Sequence, residues 1–433
     1  MDERLKESAH ATVASEHATV ASIAALAPLV EHVRQCSDDG IRCCDIEPAV
    51  SASELTVEIL TRAEDMAPLH GDYERLRRLA GIALPFVLQE WHLAWYHRLL
   101  RHNANLQDSL LVLVVRNPAG ACVAIVPLLR TRRIFGPGSV VSLDILGPDK
   151  ALTEIRLPLI EPGYAASVTQ AVVRELTNIG NWDWLEWWNL DVSSVAVLQA
   201  RGDLRPLQPL PHYVLSLPES WDVLRKGLKR NIRESLRHCY NSLKRDGLEF
   251  DFVAVSEPSA VRAALQTFLE LHAQRAAMTD TVAHANHFAG RIARDFLFDV
   301  CGRLAACGKV RVFQLIIGGK VVATRIGFVV DDSLYLYYSG YDPALAKYSI
   351  MTTTVAEILK YAIAEKLRIV NFSTGKDNSK LRWGPTELSI QRAVLVNPRL
   401  RSRLAWALSR WLRSSTISAR LAPLMGGIRR NWA

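Results

Sequence analysis

The sequence predicts a two-domain α/β (α+β) protein in which each domain is a mixed, mostly antiparallel sheet flanked by helices. Three observations lead there. The chain has 433 residues, more than one core ordinarily serves, since single cores stop growing near about 250–300 residues. Strand-like and helix-like runs alternate, and the order helix, hairpin, helix, strand occurs in both halves. The β-rich runs of the second half are joined by two-residue Gly-Gly and Asp-Asp links, which favour antiparallel pairing.

In the first half, Leu55–Leu60 reads as a strand, and Tyr73–Ala80 and Gln89–Leu100 carry apolar residues at helical spacing. A hairpin follows: Leu110–Val115, a turn at Asn117-Pro118-Ala119-Gly120, and the return Cys122–Leu129. After a Gly/Pro-rich passage from Gly136 to Pro148, a helix at Ala165–Thr177 leads to a strand at Trp182–Leu190. The Pro-rich segment Leu204–Pro211 marks the boundary. In the second half, helices at Trp221–Lys244 and Ser259–Ala276 flank a strand at Leu248–Val255, and another helix spans Phe288–Ala305. A meander follows, Val310–Ile317, Val321–Val330 and Ser333–Gly340. Then come a helix at Ser349–Lys366, a strand at Arg368–Phe372, a loop, and a strand near Leu388–Val396. The expected domains are an extension at 1–52, a first domain at 53–211, a second at 212–396 and a basic tail at 397–433.

The extension repeats HATVAS at His10–Ser15 and His17–Ser22, with too little large apolar surface for a core. Its apolar run Ala21–Val30 is short and broken by Pro28, unlike a secretory signal. No run approaches the roughly 18–20 apolar residues of a membrane span, so the sequence reads as cytoplasmic. Seven scattered cysteines without a Cys-x-x-Cys pair read as idle thiols, with no metal site. The eight arginines from Arg399 onward account for the entire net charge of +8. The body is therefore neutral, which argues against a uniformly basic nucleic-acid binder.

His-Glu-x-x-His, Gly-x-Ser-x-Gly, Walker and Gly-x-Gly-x-x-Gly motifs are absent, which removes the main support for metalloprotease, serine hydrolase, P-loop ATPase and dinucleotide-binding chemistry. Two segments remain. At Ser339–Thr352 a strand end passes through a Pro-containing turn into a helix, with Ser349 placed as N-cap. The amides of Met351 and Thr352 would then sit near the positive helix end, with Lys347 adding a cation; an ordinary capped helix is the alternative. Phe372–Gly384 follows a buried strand with three cations, one carboxylate and an indole, the usual position of a binding loop. The segment Arg225–Arg245 holds eight cations against one acid, Glu234, and is either a solvated face or a phosphate clamp. His238 and His272 read as ordinary helix residues, and Trp182, Trp184, Trp187 and Trp188 as core anchors or a stacking platform.

Residues Leu217–Val396 resemble the GNAT-type acetyltransferase domain of the CelD/BcsL family, named for cellulose biosynthesis. The basic first helix (Lys226, Lys229, Arg230, Arg233, Arg237), the hairpin Gly318-Gly319-Lys320, Gly340-Tyr341-Asp342-Pro343-Ala344 with Lys347-Tyr348-Ser349, and Gly375, Asp377, Lys380, Trp383-Gly384 carry the likeness. From Phe86 to Leu128 the first half is similar to the degenerate half of the same family. Ile350-Met351 stands where the family usually has Pro-Gly. The resemblance implies two GNAT-like domains, acetyl-CoA or another acyl-CoA as donor, and an envelope or exopolysaccharide role with a small-molecule or lipid-linked saccharide acceptor. It is also the arrangement of Fem-type transferases, which use aminoacyl-tRNA.

On this reading Lys347, Tyr348, Ser349, Ile350, Met351 and Thr352 bind the donor. Asp377 is the base, unless it only pairs with a neighbouring cation, and Tyr341 or Tyr338 is the acid. Lys376, Lys380, Arg382, Trp383 and Arg325 hold substrate. A Fem-like aminoacyl transferase binding tRNA, and a non-catalytic scaffold of a polysaccharide synthase, are the alternatives. In the tail, Leu400, Leu404, Ala407, Leu408 and Trp411 share one helical face opposite Arg399, Arg403, Arg410 and Arg413. That face either packs on the second domain or docks peripherally on the inner membrane.

Overall fold

A computed structural model describes residues 51–136, 138–149, 151–278 and 284–413. The HATVAS extension through residue 50, with Cys36, Cys43 and Cys44, and the last twenty tail positions lie outside the described residues. The first half runs β1 (Thr56–Leu60), α1 (His70–Leu79), α2 (Gln89–Leu99), β2 (His102–Asn103), β3 (Leu106–Arg116), β4 (Cys122–Phe135), β5 (Gly138–Ile145), β6 (Leu159–Ile160), α3 (Ala165–Ile179), β7 (Trp184–Trp188), α4 (Val192–Arg201) and β8 (Asp203–Pro206). The second half runs β9 (Leu210–Ser216), α5 (Trp221–Gly227), α6 (Arg230–Arg245), β10 (Phe250–Val255), α7 (Pro258–Ala276), α8 (Arg291–Ala306), β11 (Val310–Ile317), β12 (Lys320–Val330) and β13 (Ser333–Tyr341). It continues with α9 (Ile350–Ala364), β14 (Ile369–Thr374), α10 (Asn378–Leu381), β15 (Thr386–Ile390), β16 (Arg392–Val396) and α11 (Leu400–Arg413).

Two mixed sheets result, flanked by helices as expected. The first is ordered β1-β3-β4-β5-β7-β16-β8, with β2 on β3 and β6 on β4; the second is β10-β11-β12-β13-β14-β9-β15. Each has one parallel pair, β5 with β7 and β13 with β14. Each of these pairs is joined through a helix, α3 or α9, because parallel neighbours need a long crossover. The duplicated architecture is thus a duplicated topology.

Two element readings change. The strand expected near Leu388–Val396 is two strands: β15 pairs β9 in the second sheet, while β16 crosses back and sits between β7 and β8 in the first. Ala393 to Val396 are buried, the continuous apolar pattern of a strand with neighbours on both edges. No Gly or Pro separates β15 from β16, so the sequence carries no punctuation for the exchange. The helix expected at Trp221–Lys244 breaks into α5 and α6 at Leu228, which is extended and buried at 6% exposure. Gly227 weakens the helix there, and burying Leu228 fixes the break. Trp182, Trp184, Trp187 and Trp188 are all buried, so they serve as core anchors, and Trp184 and Trp188 also line a cavity, with Arg156 and Arg392 over the Trp188 ring.

The halves share one hydrophobic core. Trp91 of α2 meets Phe296 of α8 at 5.5 Å and Phe328 of β12 at 5.7 Å, and Phe86 meets Tyr335 of β13 at 5.0 Å. The register of β12 with β13 slips between Arg325–Ser339 and Gly327–Leu336, giving β13 one extra residue beside Ile326. At this bulge the hydroxyls of Tyr337 and Tyr338 donate to the carbonyls of Leu152 and Ala151, and Tyr335 donates to the Glu154 carboxylate. A loop of the first half is thereby stitched to the central strand of the second.

Candidate active site

The parallel pairing of β13 and β14 ends at Tyr335–Asn371, although β13 continues to Tyr341 and β14 to Thr374. Beyond that point the strands splay, opening a cavity of about 260 Å³ at their C-terminal ends, where open α/β sheets commonly bind ligands. Ser339 and Tyr341 line one wall and Phe372 and Trp383 another; the first turn of α9, Ser349 to Thr352, closes one end.

Four cations face this space, Arg275, Arg325, Lys380 and Arg382. Arg275 donates to Ser339 Oγ at 3.0 Å and meets His284 Nε2 at 2.7 Å. Arg325 makes no hydrogen bond among the described residues, and the Nε atoms of both arginines lack partners. Burial and the neighbouring Arg275 push Arg325 down to about 10; burial and Arg325 push Lys380 down to about 8. Such crowding of like charge is costly without a counter-anion. Ser349 stands at the N-cap of α9, as expected, but its side chain makes no capping bond. It adopts the left-handed conformation, φ 52°, strain that a non-glycine residue holds only where its surroundings require it. The Thr352 amide donates to the Ser349 carbonyl at 2.8 Å, which leaves the amides of Ile350 and Met351 at the helix N-terminus for an anion.

Of the residues expected to bind the donor, Ser349, Ile350, Met351 and Thr352 line the cavity. Lys347 is exposed over the Tyr348 ring at 4.9 Å, and buried Tyr348 donates to Asp246 at 2.8 Å, so both brace the turn from outside. Of the expected substrate residues, Arg325, Lys380, Arg382 and Trp383 converge there, while Lys376 is exposed away from it. Asp377 is also exposed; it caps α10, accepting from the Ser379 amide at 2.8 Å. Tyr341 lines the cavity with the Arg275 guanidinium 5.5 Å from its ring, whereas the Tyr338 hydroxyl is committed to the first half.

Two charged residues lining this cavity and a neighbouring one were not legible in the sequence. Arg275 lies on α7 three positions after His272, on the same face, and nothing in its local sequence sets it apart from the other helix cations. Glu154 comes from the first half, and no local signal marks it. Its carboxylate accepts from Tyr335 and from Ser373 Oγ at 2.9 Å, and burial raises its pKa against the pull of Lys380 and Arg325. Glu154 also lines a second cavity, of about 440 Å³, which reaches Thr374 from the first-half side. There Glu186 meets Arg156 and Arg392, each at 3.6 Å. Asp144 forms no ion pair among the described residues, and burial together with the Glu186 charge raises its pKa. The end of β14, Phe372 to Thr374, thus separates two cavities, one cationic and one of mixed charge, where Asp144, Glu154 and Glu186 stand among Arg101, Arg133, Arg156 and Arg392.

His272 is an ordinary packing residue in this frame: its Nδ1 donates to the Ser339 carbonyl at 2.9 Å. A Cβ on Gly340 would lie 2.4 Å from the His272 amide nitrogen and 2.7 Å from the Leu271 carbonyl carbon. Gly340→Ala therefore pushes α7 off β13 and carries Arg275 out of the wall. The expected result is a loss of about 1–3 kcal/mol in denaturant melts together with weaker anion binding. Wild-type values for both would show that the contact has slack.

Residues 230–381 match the acetyltransferase (GNAT) domain. The second half carries a GNAT-type domain. No curated protein matches the sequence. Among solved structures, FemX matches with a TM-score of 0.52 at 10% identity, covering 80% of this chain and 99% of that one; at that identity the likeness shows the shared fold. A tandem GNAT protein from the clavulanic acid biosynthesis pathway matches at 12% identity and TM-score 0.44, over 79% and 99% of the two chains. The C-terminal domain of a putative lysylphosphatidylglycerol synthetase from Agrobacterium fabrum matches at 14% identity and TM-score 0.42, over 80% and 97%. The cationic cavity is built within the GNAT-type domain apart from Arg382 and Trp383, which directly follow the matched range.

Proposed function

We propose that this protein is an acyltransferase that moves an acetyl or other acyl group from acyl-CoA to an amine or hydroxyl. The observation that carries the reading is the cationic cavity at the strand splay, with two orphaned guanidinium nitrogens and the first amides of α9 at its end. These groups fit a phosphate-bearing donor. Ile350-Met351 stands where the resembled family usually has Pro-Gly, and Met351 lacks the close backbone approach that Gly permits, so phosphate contact falls mainly to Arg325, Lys380 and Arg382. Acyl-CoA supplies an activated thioester. The resemblance to the CelD/BcsL family supports an envelope or exopolysaccharide precursor as acceptor.

The acceptor approaches from the second cavity, where Glu154 and Asp144 offer the carboxylates an amine would pair with. Glu154 takes the proton of the attacking N–H or O–H as the new C–N or C–O bond forms. Tyr341 protonates the departing sulfur as the C–S bond breaks. Glu154 is preferred over Asp377 as base because it is partly buried at the wall between the cavities, whereas Asp377 is solvent-exposed and capping α10. Asp377 instead lends negative charge to Arg325 and Lys380.

Thermal melting with acetyl-CoA tests the donor. At about 100 times its dissociation constant the ligand adds roughly 2.7 kcal/mol, a readily measured rise, and Arg325→Ala/Arg382→Ala should remove it. No rise at millimolar acetyl-CoA overturns the donor assignment. A second reading, aminoacyl transfer from tRNA, draws support from a groove of about 520 Å³ beside α5 and α6. Arg225, Lys226, Arg233, Arg237 and Lys360 line it together with Trp221 and Tyr240, a pattern suited to a polyanion. Steeply salt-dependent tRNA binding without an acetyl-CoA response would favour that reading.

A further inference from the structure

Helix α11 is amphipathic, but it turns its small and polar face to the protein. Ser402 donates to Asp183 at 2.7 Å, Arg401 donates to the Ser139 carbonyl at 2.7 Å, and Trp406 packs edge-on against Trp184 at 5.2 Å. Ser402, Trp406 and Ser409 are buried. The apolar stripe points the other way: Leu400, Leu404 and Leu408, spaced by four, are 74%, 62% and 55% exposed. Of the two outcomes the sequence left open, packing of this stripe on the second domain is not what the fold does; α11 rests on the first sheet through its opposite face.

A row of exposed leucines on a helix so firmly held marks an interaction surface. Its chemistry is specified by the charges around it. Arg403 and Arg410 are exposed along one flank and Arg401 lies on the other; from Arg399 to the end there are eight arginines and no acid. Apposing two copies through this stripe would bring like charges together, whereas an anionic surface supplies their counter-charge. We propose that α11 docks the protein on an anionic lipid bilayer, the leucines entering the interfacial layer and the arginines meeting the headgroups. Among the described residues no helix is long and apolar enough to cross a membrane, so the contact is peripheral. Interfacial binding scales with the apolar area inserted and with attraction to anionic headgroups, and α11 supplies both.

Flotation of the full chain with vesicles of phosphatidylcholine alone, or mixed with phosphatidylglycerol, tests this. Wild type should float with the mixed vesicles at low salt and not with phosphatidylcholine alone. Leu400→Ser/Leu404→Ser/Leu408→Ser and Arg403→Glu/Arg410→Glu should each lower the bound fraction about tenfold or more. Because these side chains are exposed, the melting temperature should hold, separating lost docking from lost folding. Undiminished flotation of the leucine variant, or equal flotation on both vesicles, overturns the proposal. Failure to float, with a wild-type dimer that the leucine variant converts to monomer, overturns it in favour of a second copy. Failure to float as a monomer overturns it too.

Discussion

Replacing Glu154 by glutamine should lower kcat about 10²–10⁴-fold, the usual contribution of a positioned general base, while leaving the donor KM and the melting temperature close to wild type. Glutamine keeps the shape and can still accept from Tyr335 or Ser373, so a merely structural role would show in stability first. The pH profile separates the two further. Burial raises the Glu154 pKa, and the deprotonated form is the active one. The wild-type rate should therefore climb with pH through a limb above the ordinary carboxylate range, and that limb should vanish in the variant. At the alkaline end Lys380, held down to about 8, loses its charge as pH rises through that value, and donor affinity falls with it. If Glu154→Gln retains kcat, the base lies elsewhere, and Asp377→Asn becomes the decisive variant.

The largest stability effect is expected at Arg77. Its side chain is 1% exposed and bridges the halves, donating to Glu74 at 2.7 Å on its own helix and to both Asp331 oxygens in the turn between β12 and β13. Asp331 sits there with φ 51°, so the arginine also steadies a strained turn. Arg77→Ala removes the buried member of this cluster while Lys309 and Arg78 still face Glu74, so the loss is that of charge-assisted hydrogen bonds, about 1.5–3 kcal/mol. For domains of this size that is a fall of about 3–12 °C in Tm. A shift within about 1 °C would show that solvent replaces the arginine freely. The cluster also predicts acid sensitivity. Burial raises the Glu74 pKa, but Arg77 and Lys309 outweigh it and hold the group at about 2. A carboxylate lowered in the fold stabilises at pH above its unfolded value and loses that contribution as pH falls towards 2. Wild type should lose stability steeply below about pH 4.5, and Arg77→Ala less so.

What the sequence by itself determined is what depends on neighbours along the chain. Strand and helix periods, the Gly-Gly and Asp-Asp turns and the Pro-containing entry to α9 are all local. They suffice for two mixed sheets flanked by helices and for placing Ser349–Thr352 and Lys380–Trp383 in one site. Those segments each end or follow a strand of the parallel pair, so the topology brings them together once the strands are identified. What only the tertiary structure decided depends on long-range contact. Glu154 reaches the site because Tyr335, Tyr337 and Tyr338 draw its loop onto β13, a partnership nearly two hundred residues apart in the chain. The return of β16 to the first sheet replaces one apolar strand environment with another, so hydrophobic pattern alone cannot distinguish the two. The same limit applies to α11. Its amphipathic wheel is legible, but which face meets protein was settled by the Ser402–Asp183 bond and the Trp406–Trp184 contact, and that choice left the leucines facing outward.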